Sequence, residues 1–214
     1  MERLITFEGT EGCGKTTQIR MAGEYLGQRR VPFIITAEPG GSALGNRIRE
    51  ILLNRGPYEI NAEAELFLFM AARAQHVRET IIPALRSDKL VICDRFSDAT
   101  LAYQGFGRGL DIDFIRQINL FASASLKPAM TILFDLPAEE GLMRAKKRIA
   151  QNGKEASAED RFEQETLAFH RNIREGYLSL ARGEPGRFRI IDGSKDISAV
   201  HREVCVHMEA FITG

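Results

Sequence analysis

Residues 8 to 17 read EGTEGCGKTT, a stretch in which three glycines precede a lysine and two threonines. Gly9, Gly14, Lys15 and Thr16 have the G-x-x-x-x-G-K-T spacing of a phosphate-binding loop. Glycines allow the backbone N–H groups of such a loop to turn inward, and the helix that follows it attracts anions. We therefore predict that Lys15 contacts the β- and γ-phosphates of a nucleotide and that the Thr16 hydroxyl binds Mg²⁺.

The loop does not by itself distinguish a switch GTPase, an ATPase and a kinase, because all three classes share it. A guanine-specific switch normally carries Asn-Lys-x-Asp after a late strand. The nearest match in this chain is Ser194-Lys195-Asp196, which lacks the asparagine. This departure disfavours a switch protein without excluding it.

A second group of polar residues follows the predicted strand that ends at Asp94, at the edge where ligands bind in parallel sheets. Asp94 is placed to hold Mg²⁺, and Arg95 to bind a phosphate through two hydrogen bonds. A surface ion pair is the plain alternative. Glu38 follows another predicted strand and is expected either in a simple turn or near the metal and an acceptor phosphate, with Arg47 or Arg49 facing the same cleft.

Phe69 and Arg73 are four residues apart and share one face of a predicted helix. An aromatic ring beside a guanidinium suits a flat base that carries a carbonyl oxygen. On spacing alone, a core phenylalanine beside a surface arginine is the favoured alternative. His76 lies one turn further along, where it could line the same pocket, but an ordinary histidine on the helix surface is the favoured expectation.

The elements that must position these residues are short apolar runs separated by longer amphipathic stretches. The runs predict strands buried on both faces, at Leu4–Glu8, Pro32–Ala37, Leu90–Asp94, Met130–Asp135 and Phe188–Asp192. The predicted helices are Lys15–Arg29, Leu44–Leu53, Ala62–Leu85, Phe114–Ala124, Glu139–Ile149, Glu163–Ala181 and Ile197–Ile212. This alternation indicates one α/β domain, residues 1–214, with a doubly wound parallel sheet and right-handed crossovers.

Residues 144–163 interrupt the alternation, since they are dense in charge and contain no strand pattern. The dipeptide Asn152-Gly153 within them favours a turn or loop. Most charge runs are solvated helix ends and loops. In a nucleotide-dependent enzyme, the alternative is a mobile lid whose arginines close over phosphates.

The bulk composition limits the classes of partner. Lys plus Arg and Asp plus Glu number 29 each among 214 residues, so a general nucleic-acid or membrane-surface binder is disfavoured. Three cysteines without paired spacing fit a reducing compartment, and no apolar run approaches the length of a membrane span. We expect a cytoplasmic protein that binds neither nucleic acid nor membrane.

Five motifs resemble, in this order, those of bacterial thymidylate kinases: EGTEGCGKTT, EPGG, AARAQH, DRFSDATLAYQGFGRG and DRFE. The resemblance extends from about Ile5 to Asp192, and the Asp-Arg-aromatic triplet followed by AYQG is its most specific part. It implies a P-loop kinase fold, with a five-stranded parallel sheet flanked by helices, a lid, and normally a homodimer. The implied reaction transfers the γ-phosphoryl of ATP to dTMP in the presence of Mg²⁺.

The resemblance also implies roles for individual residues. ATP is expected to contact Gly9, Glu11, Gly12, Cys13, Gly14, Lys15, Thr16 and Thr17. The dTMP acceptor is expected to contact Glu11, Glu38, Arg49, Phe69, Arg73, Arg95, Thr100, Tyr103 and Gln104. Within that set Phe69 stacks on thymine, Arg73 donates to its O4, and Tyr103 lies where a ribose 2′-OH would sit. The expected metal ligands are Thr16, Asp94 and Glu38.

The family resemblance further separates members by the source of their catalytic positive charge. Members without a basic residue inside the loop supply arginine from the lid, and this chain has Gly-Cys-Gly before Lys15. The implied catalytic residues are therefore Lys15 and Arg95 together with the lid residues Arg148 and Arg161. Two alternatives remain open: a kinase for another nucleoside monophosphate, and a P-loop binding or switch protein.

Overall fold

The computed structural model describes residues 3–54, 58–152 and 161–213. Within them, one parallel sheet contains β1 (Leu4–Gly9), β2 (Phe33–Ala37), β3 (Leu90–Asp94), β4 (Met130–Asp135) and β5 (Phe188–Asp192). The strand order is β2-β3-β1-β4-β5, which places the strand that leads into the phosphate loop at the centre. The prediction of a five-stranded parallel sheet flanked by helices is confirmed.

Helices cover both faces of this sheet. They are α1 (Lys15–Gln28), α2 (Ala43–Leu53), α3 (Ala62–His76), α4 (Ile82–Arg86), α5 (Ser97–Thr100), α6 (Ile112–Ala122), α7 (Ala138–Asn152), α8 (Leu167–Gly183) and α9 (Ile197–Thr213). A π-helical segment, Val77–Ile81, joins α3 to α4, and a second one, Leu101–Gly107, continues α5. Such wide turns occur often at functional sites.

Burial along the strands follows their position in the sheet. Every residue of β1 is buried, and the other two central strands are buried except at their last residue. The edge strands β2 and β5 leave Ile35 and Ile190 exposed. β2 begins at Phe33 because the preceding Pro32 has no N–H and offers the sheet only its carbonyl, which accepts from the Leu90 amide.

Two of the apolar clusters between the sheet and its helices bear on the site. One lies between the sheet and the pair α1 and α9, around Phe7, Leu26 and Val204. The other contains Tyr103 and Tyr177 together with rings from α8 and the turn before it. Burial of each such side chain contributes roughly 1.5–3 kcal/mol to the free energy of folding. Both clusters therefore hold in place the elements next to the loops at the carboxyl ends of the strands.

The helix predictions differ from the structure at several boundaries, and the predicted helix Ala62–Leu85 is interrupted by the π-helical segment Val77–Ile81. The helical segment from Ser97 to Gly107 was not predicted. α8 begins at Leu167 instead of residue 163, because the Thr166 hydroxyl caps its first turn by accepting from the Phe169 amide. α7 continues to residue 152, so the first part of the predicted lid, 144–163, is helical; residues 153–160 lie outside the described chain.

The predictions about cell compartment rest on two observable features. Cys13, Cys93 and Cys205 are all free thiols. Over the described ranges, no helix has both the length and the apolar character that crossing a membrane requires. The single-domain organisation and the lid remain predictions.

Candidate active site

A cavity of about 730 Å³ lies at the carboxyl ends of β1, β2 and β3. It is the place where the loops after these strands meet, as expected for a parallel sheet. Most of the predicted site residues line it: Glu11, Gly12, Cys13, Gly14, Lys15, Thr16, Thr17, Glu38, Arg49, Phe69, Arg73, Asp94, Arg95, Thr100, Tyr103, Gln104 and Arg148. Two predicted residues, Gly9 and Arg161, are not among the described residues that line it.

The phosphate loop is shaped by its glycines and closed by its lysine. Gly12 has φ +70°, and a Cβ there would lie 2.1 Å from the Gly141 carbonyl oxygen, so no other residue fits. The Lys15 ammonium donates to the carbonyls of Gly9 at 2.9 Å and Thr10 at 3.1 Å. It lies 3.5 Å from the Cys13 sulfur. The predicted phosphate-binding cation is therefore held at the loop by backbone oxygens.

Glu11, the carboxylate inside the phosphate loop, lies in a positively charged surrounding. Arg95 Nη2 donates to its Oε1 at 3.1 Å, the Tyr103 hydroxyl donates to the same oxygen, and His170 Nδ1 lies 3.2 Å from Oε2. Burial alone would raise the pKa of Glu11, but His170, Arg95 and Lys15 together lower it to about 2. The carboxylate is thus ionised and holds the Arg95 guanidinium at the loop.

Arg95 itself is fixed by the residues around it. Its Nη1 donates to the Gly9 carbonyl at 2.9 Å and to the Tyr177 hydroxyl at 3.2 Å, and its guanidinium lies over the Tyr103 ring. Its backbone has φ +66°, a left-handed conformation that directs the side chain back toward the loop after β1. Arg49, the other predicted phosphate ligand, lines the same cavity and donates to the Pro39 carbonyl at 3.0 Å.

Arg73 is buried, so the surface alternative for this residue is wrong. Its Nε donates to Glu38 Oε2 at 2.7 Å, and its Nη1 donates to the Thr100 hydroxyl at 2.9 Å and to the Asn119 side-chain carbonyl. Phe69, one turn earlier on α3, lines the same cavity. The pair therefore presents an aromatic face beside a fixed guanidinium, as a base with a carbonyl group requires.

Both carboxylate oxygens of Glu38 contact neighbouring side chains. Oε2 accepts from Arg73, and Oε1 lies 2.9 Å from His76 Nδ1. These contacts favour a role in holding Arg73, and they give the predicted role as a metal ligand no support. His76 is fully buried, so the expectation of a surface histidine is wrong, because the EPGG loop folds over its ring.

Sequence reasoning also missed two polar residues that contact the predicted site residues. Asn119 of α6 accepts from Arg73, and its only sequence signal is a lone amide on an apolar helix face. Glu65 is fully buried and accepts from Gln104 Nε2 at 2.9 Å. Gln104, predicted to face the base, is thus held by a carboxylate on α3.

The two predicted lid arginines lie in different surroundings. Arg161 donates to Glu65 Oε2 at 2.5 Å and to the Leu52 carbonyl at 3.1 Å, so its guanidinium is directed away from the phosphate loop. This arrangement does not support the prediction that Arg161 is catalytic. Arg148 lines the cavity, is half exposed, and has a 3.3 Å contact with Glu163. Burial and the charge of Glu11 raise the pKa of Glu163.

The cavity contains oxygen atoms that suit the predicted magnesium site. Asp94 Oδ1 is buried and has no hydrogen-bond partner among the described residues, and the Thr16 hydroxyl lines the same cavity. In the described chain no group of three or more His, Cys, Asp or Glu residues could hold a metal alone. Because Mg²⁺ binds through one or two protein oxygens plus phosphates and water, Asp94 and Thr16 fit it.

Comparison with known proteins places these features in a family. Residues 7–204 match the family model described as thymidylate kinase. A thymidylate kinase of Syntrophus aciditrophicus is 59% identical over 98% of this chain and 95% of its own length. One from Geotalea daltonii is 53% identical over 91% of this chain and 90% of its own length.

A solved structure agrees with these sequence matches. The crystal structure of thymidylate kinase from Ehrlichia chaffeensis superposes with a TM-score of 0.74 at 32% identity. The match covers 96% of this chain and 97% of that one. The similarity therefore extends over nearly the whole length of both chains.

Proposed function

The chain belongs to the thymidylate kinase family, and on this premise we propose how its cavity carries out the reaction. The protein is an ATP-dependent dTMP kinase, which transfers the γ-phosphoryl of ATP to dTMP and forms dTDP and ADP. The observation that carries the site assignment is that the phosphate loop and the Phe69–Arg73 pair line one cavity. A switch protein and a kinase for another monophosphate are not favoured.

On the ATP side, the loop from Gly9 to Thr17 binds the phosphates. The inward N–H groups and the N-terminus of α1 attract the anion. When phosphates bind, the Lys15 ammonium exchanges its carbonyl partners for phosphate oxygens. Because its partners are neutral backbone oxygens, this exchange breaks no ion pair.

On the acceptor side, Arg95 binds the phosphate of dTMP and Phe69 stacks on thymine. Arg73 and Thr100 contact the polar edge of the base, and Tyr103 lies against the sugar. Glu11 holds Arg95 and Tyr103 in place through a single oxygen. The acceptor site therefore exists before dTMP enters.

The chemistry needs positive charge more than it needs a base. An oxygen of the dTMP phosphate, already anionic, attacks the γ-phosphorus while the bond to the β-phosphate oxygen breaks. Lys15, Arg95 and Arg148 surround the cavity and offset the charge of the two polyanions. Of the two arginines predicted from the lid, we assign only Arg148 to this role.

We assign Asp94 and Thr16 as the residues that would hold Mg²⁺ with the phosphates. Bound Mg²⁺ supplies positive charge that neutralises the phosphate oxygens during transfer. The buried, unpartnered oxygen of Asp94 supports this assignment.

A panel of acceptors tests the function. ADP release would be measured with ATP, Mg²⁺ and each of dTMP, dUMP, dCMP, dGMP and thymidine. We expect turnover with dTMP to exceed that with dUMP, and dCMP to be a poor acceptor because its base presents an amine to Arg73. Preferential turnover of a different acceptor would overturn the base-site assignment, and silence across the panel would overturn the kinase function.

We also propose that the protein forms a homodimer through α3 and α6. These helices pack together, and they expose Phe67 at 57% and Phe121 at 84%. Exposed aromatic residues of this size on adjacent helices indicate a protein interface. Light scattering should show a dimer for the wild type and a monomer for Phe121→Lys. The control Val206→Lys, on α9, should remain a dimer. A monomeric wild type contradicts the proposal.

A cytoplasmic location stays part of this proposal. It is supported by the free thiols of Cys13, Cys93 and Cys205, which suit a reducing compartment.

A further inference from the structure

We propose that His76 is a positioning residue for base recognition, which acts on Arg73 through Glu38. A chain of hydrogen bonds, Thr36–His76–Glu38–Arg73, would fix the guanidinium that selects a pyrimidine with a carbonyl at C4 over one with an amine. This inference rests on the proposed function, in which Arg73 contacts that edge of the base.

The hydrogen bonds are continuous from a partly buried residue, Thr36, to three buried residues. The Thr36 hydroxyl lies 2.7 Å from His76 Nε2, His76 Nδ1 lies 2.9 Å from Glu38 Oε1, and Glu38 Oε2 lies 2.7 Å from Arg73 Nε. His76, Glu38 and Arg73 are all buried. An ionised carboxylate only accepts, so Nδ1 carries the proton toward Glu38 and Nε2 is free to accept from Thr36. The carboxylate partner therefore places a proton on Nδ1, the nitrogen that faces Glu38.

The loop after β2 packs directly against the His76 ring. Gly41 has φ +71°, and a Cβ there would lie 2.2 Å from two atoms of the His76 ring. The Thr80 hydroxyl, from the π-helical segment after α3, donates to the Gly41 carbonyl at 2.6 Å. The loop that carries Glu38 is thus folded around His76 and attached to the helix that carries Arg73.

Glu38 in turn determines where Arg73 directs its donors. A guanidinium has five N–H groups. Nε and Nη2 both lie 2.7 Å from Glu38 Oε2, while Nη1 donates to Thr100 and Asn119. This leaves one N–H of Nη2 without a protein partner in the part of the chain that the structure describes. The direction of that last donor depends on the rotamer of Glu38, which His76 holds.

Discrimination follows from this geometry. A carbonyl at C4 accepts from the remaining N–H, whereas an amine at C4 places a donor against a donor. A site that holds its donor rigidly rejects the wrong group more strongly, because the mismatched pair cannot relax. Without the His76 N–H, Glu38 Oε1 is buried and unpaired, and the carboxylate can rotate away from Arg73.

Three substitutions of one residue separate positioning from simple structural loss. In His76→Asn the side-chain amide reproduces the Nδ1 donor toward Glu38. In His76→Gln the amide reaches toward Thr36 instead, and His76→Leu removes both contacts. Thr36→Val removes the hydrogen bond between Thr36 and His76 with almost no change in side-chain volume. It replaces His76→Leu in the comparison if that variant does not fold. His207→Leu, outside the cavity on α9, is the matched control.

We would measure kcat and KM for dTMP, dCMP and ATP in each variant. We expect His76→Gln and His76→Leu to raise the dTMP KM about tenfold and to lower the dTMP-to-dCMP ratio of kcat/KM about tenfold. The kcat at saturating dTMP and the KM for ATP should stay within about twofold of wild type. His76→Asn should recover most of the ratio, and His207→Leu should change nothing.

The outcomes separate this inference from the function on which it rests. Equal losses in His76→Asn and His76→Gln, or parallel changes in kcat and the KM for ATP, would show that His76 only supports the fold. If wild type itself does not prefer dTMP over dCMP, the proposed base site fails. If Arg73→Gln loses the preference while His76→Gln keeps it, the base site stands and only the role of His76 is refuted.

Discussion

The two arginines assigned to opposite ends of the cavity differ in how the protein holds them. The Arg73 side chain is 2% exposed and is held by Glu38, Thr100 and Asn119, whereas that of Arg148 is 53% exposed and has one 3.3 Å contact with Glu163. A buried charge must be paired and hydrogen-bonded, so the base site has to be complete before ligand arrives. A half-exposed arginine can move to the transferring phosphoryl. Recognition is therefore preformed, and part of the catalytic charge is not.

The largest effect is expected at Arg95, in the preformed region. Arg95→Ala removes the clamp for the acceptor phosphate and leaves Glu11 buried without its main charge partner. Steady-state kinetics should show kcat/KM for dTMP lower by about 10³-fold, the scale of losing a charged contact to the reacting group. Arg171→Ala, which breaks an exposed ion pair with Glu139, is the control and should leave kinetics unchanged. A loss below tenfold in Arg95→Ala would show that the clamp lies elsewhere.

A second prediction distinguishes Arg148 from Arg161, which the charged sequence of residues 144–163 could not do. Arg148→Ala should lower kcat by about 10²-fold, because it removes charge from the cavity. Arg161→Ala should keep a kcat near wild type and instead lose about 2 kcal/mol of stability, since it removes one of the two guanidinium groups that donate to Oε2 of buried Glu65. Kinetics and urea unfolding of both variants check this. The reverse pattern would restore Arg161 as the catalytic residue.

A third, smaller effect concerns the pH dependence of stability. It involves Glu8, which accepts from the Tyr177 hydroxyl, a group that also contacts Arg95. Burial raises the pKa of Glu8 to about 8, and the charge of Asp98 adds to this. Between the usual pKa of 4.5 and about 8, the folded protein holds one proton more than the unfolded chain. Stability contributed by this group therefore falls as pH rises, by up to about 1.4 kcal/mol per pH unit.

Glu8→Gln removes this titration, so its unfolding free energy should fall less between pH 5.5 and pH 7.5 than that of wild type. Urea unfolding of both proteins at the two pH values gives the comparison. Other titrating groups affect both proteins equally, so they cancel when the change in unfolding free energy of the variant is subtracted from that of wild type. If the unfolding free energy changes equally with pH in the two proteins, Glu8 is ionised in the folded state.

The strands and the phosphate loop were predictable because their signals are local. Each strand is a short apolar run bounded by polar residues, and the loop is a contiguous motif that ends at Lys15 and Thr16. The helical segment Ser97–Gly107 was missed because its wide turns and its two glycines, Gly105 and Gly107, do not give the usual helical pattern.

The rest of the site depends on contacts that no local pattern contains. Glu38 and His76 are 38 residues apart, and Arg73 and Asn119 are 46 apart. Only the sheet and the helix packing bring them together. The surroundings of Arg161 were unpredictable for the same reason, since a run of charged residues shows that a guanidinium is present but not that it contacts a buried carboxylate such as Glu65.

The most direct test of the contrast is dTMP binding without ATP, measured by titration calorimetry. The two variants compared are Arg73→Gln and Arg148→Ala. A preformed acceptor site predicts that Arg148→Ala binds dTMP within about twofold of wild type, while Arg73→Gln binds at least about tenfold more weakly. If Arg148→Ala weakens dTMP binding as much as Arg73→Gln does, recognition depends on Arg148, and the division between a preformed base site and a later catalytic charge is wrong.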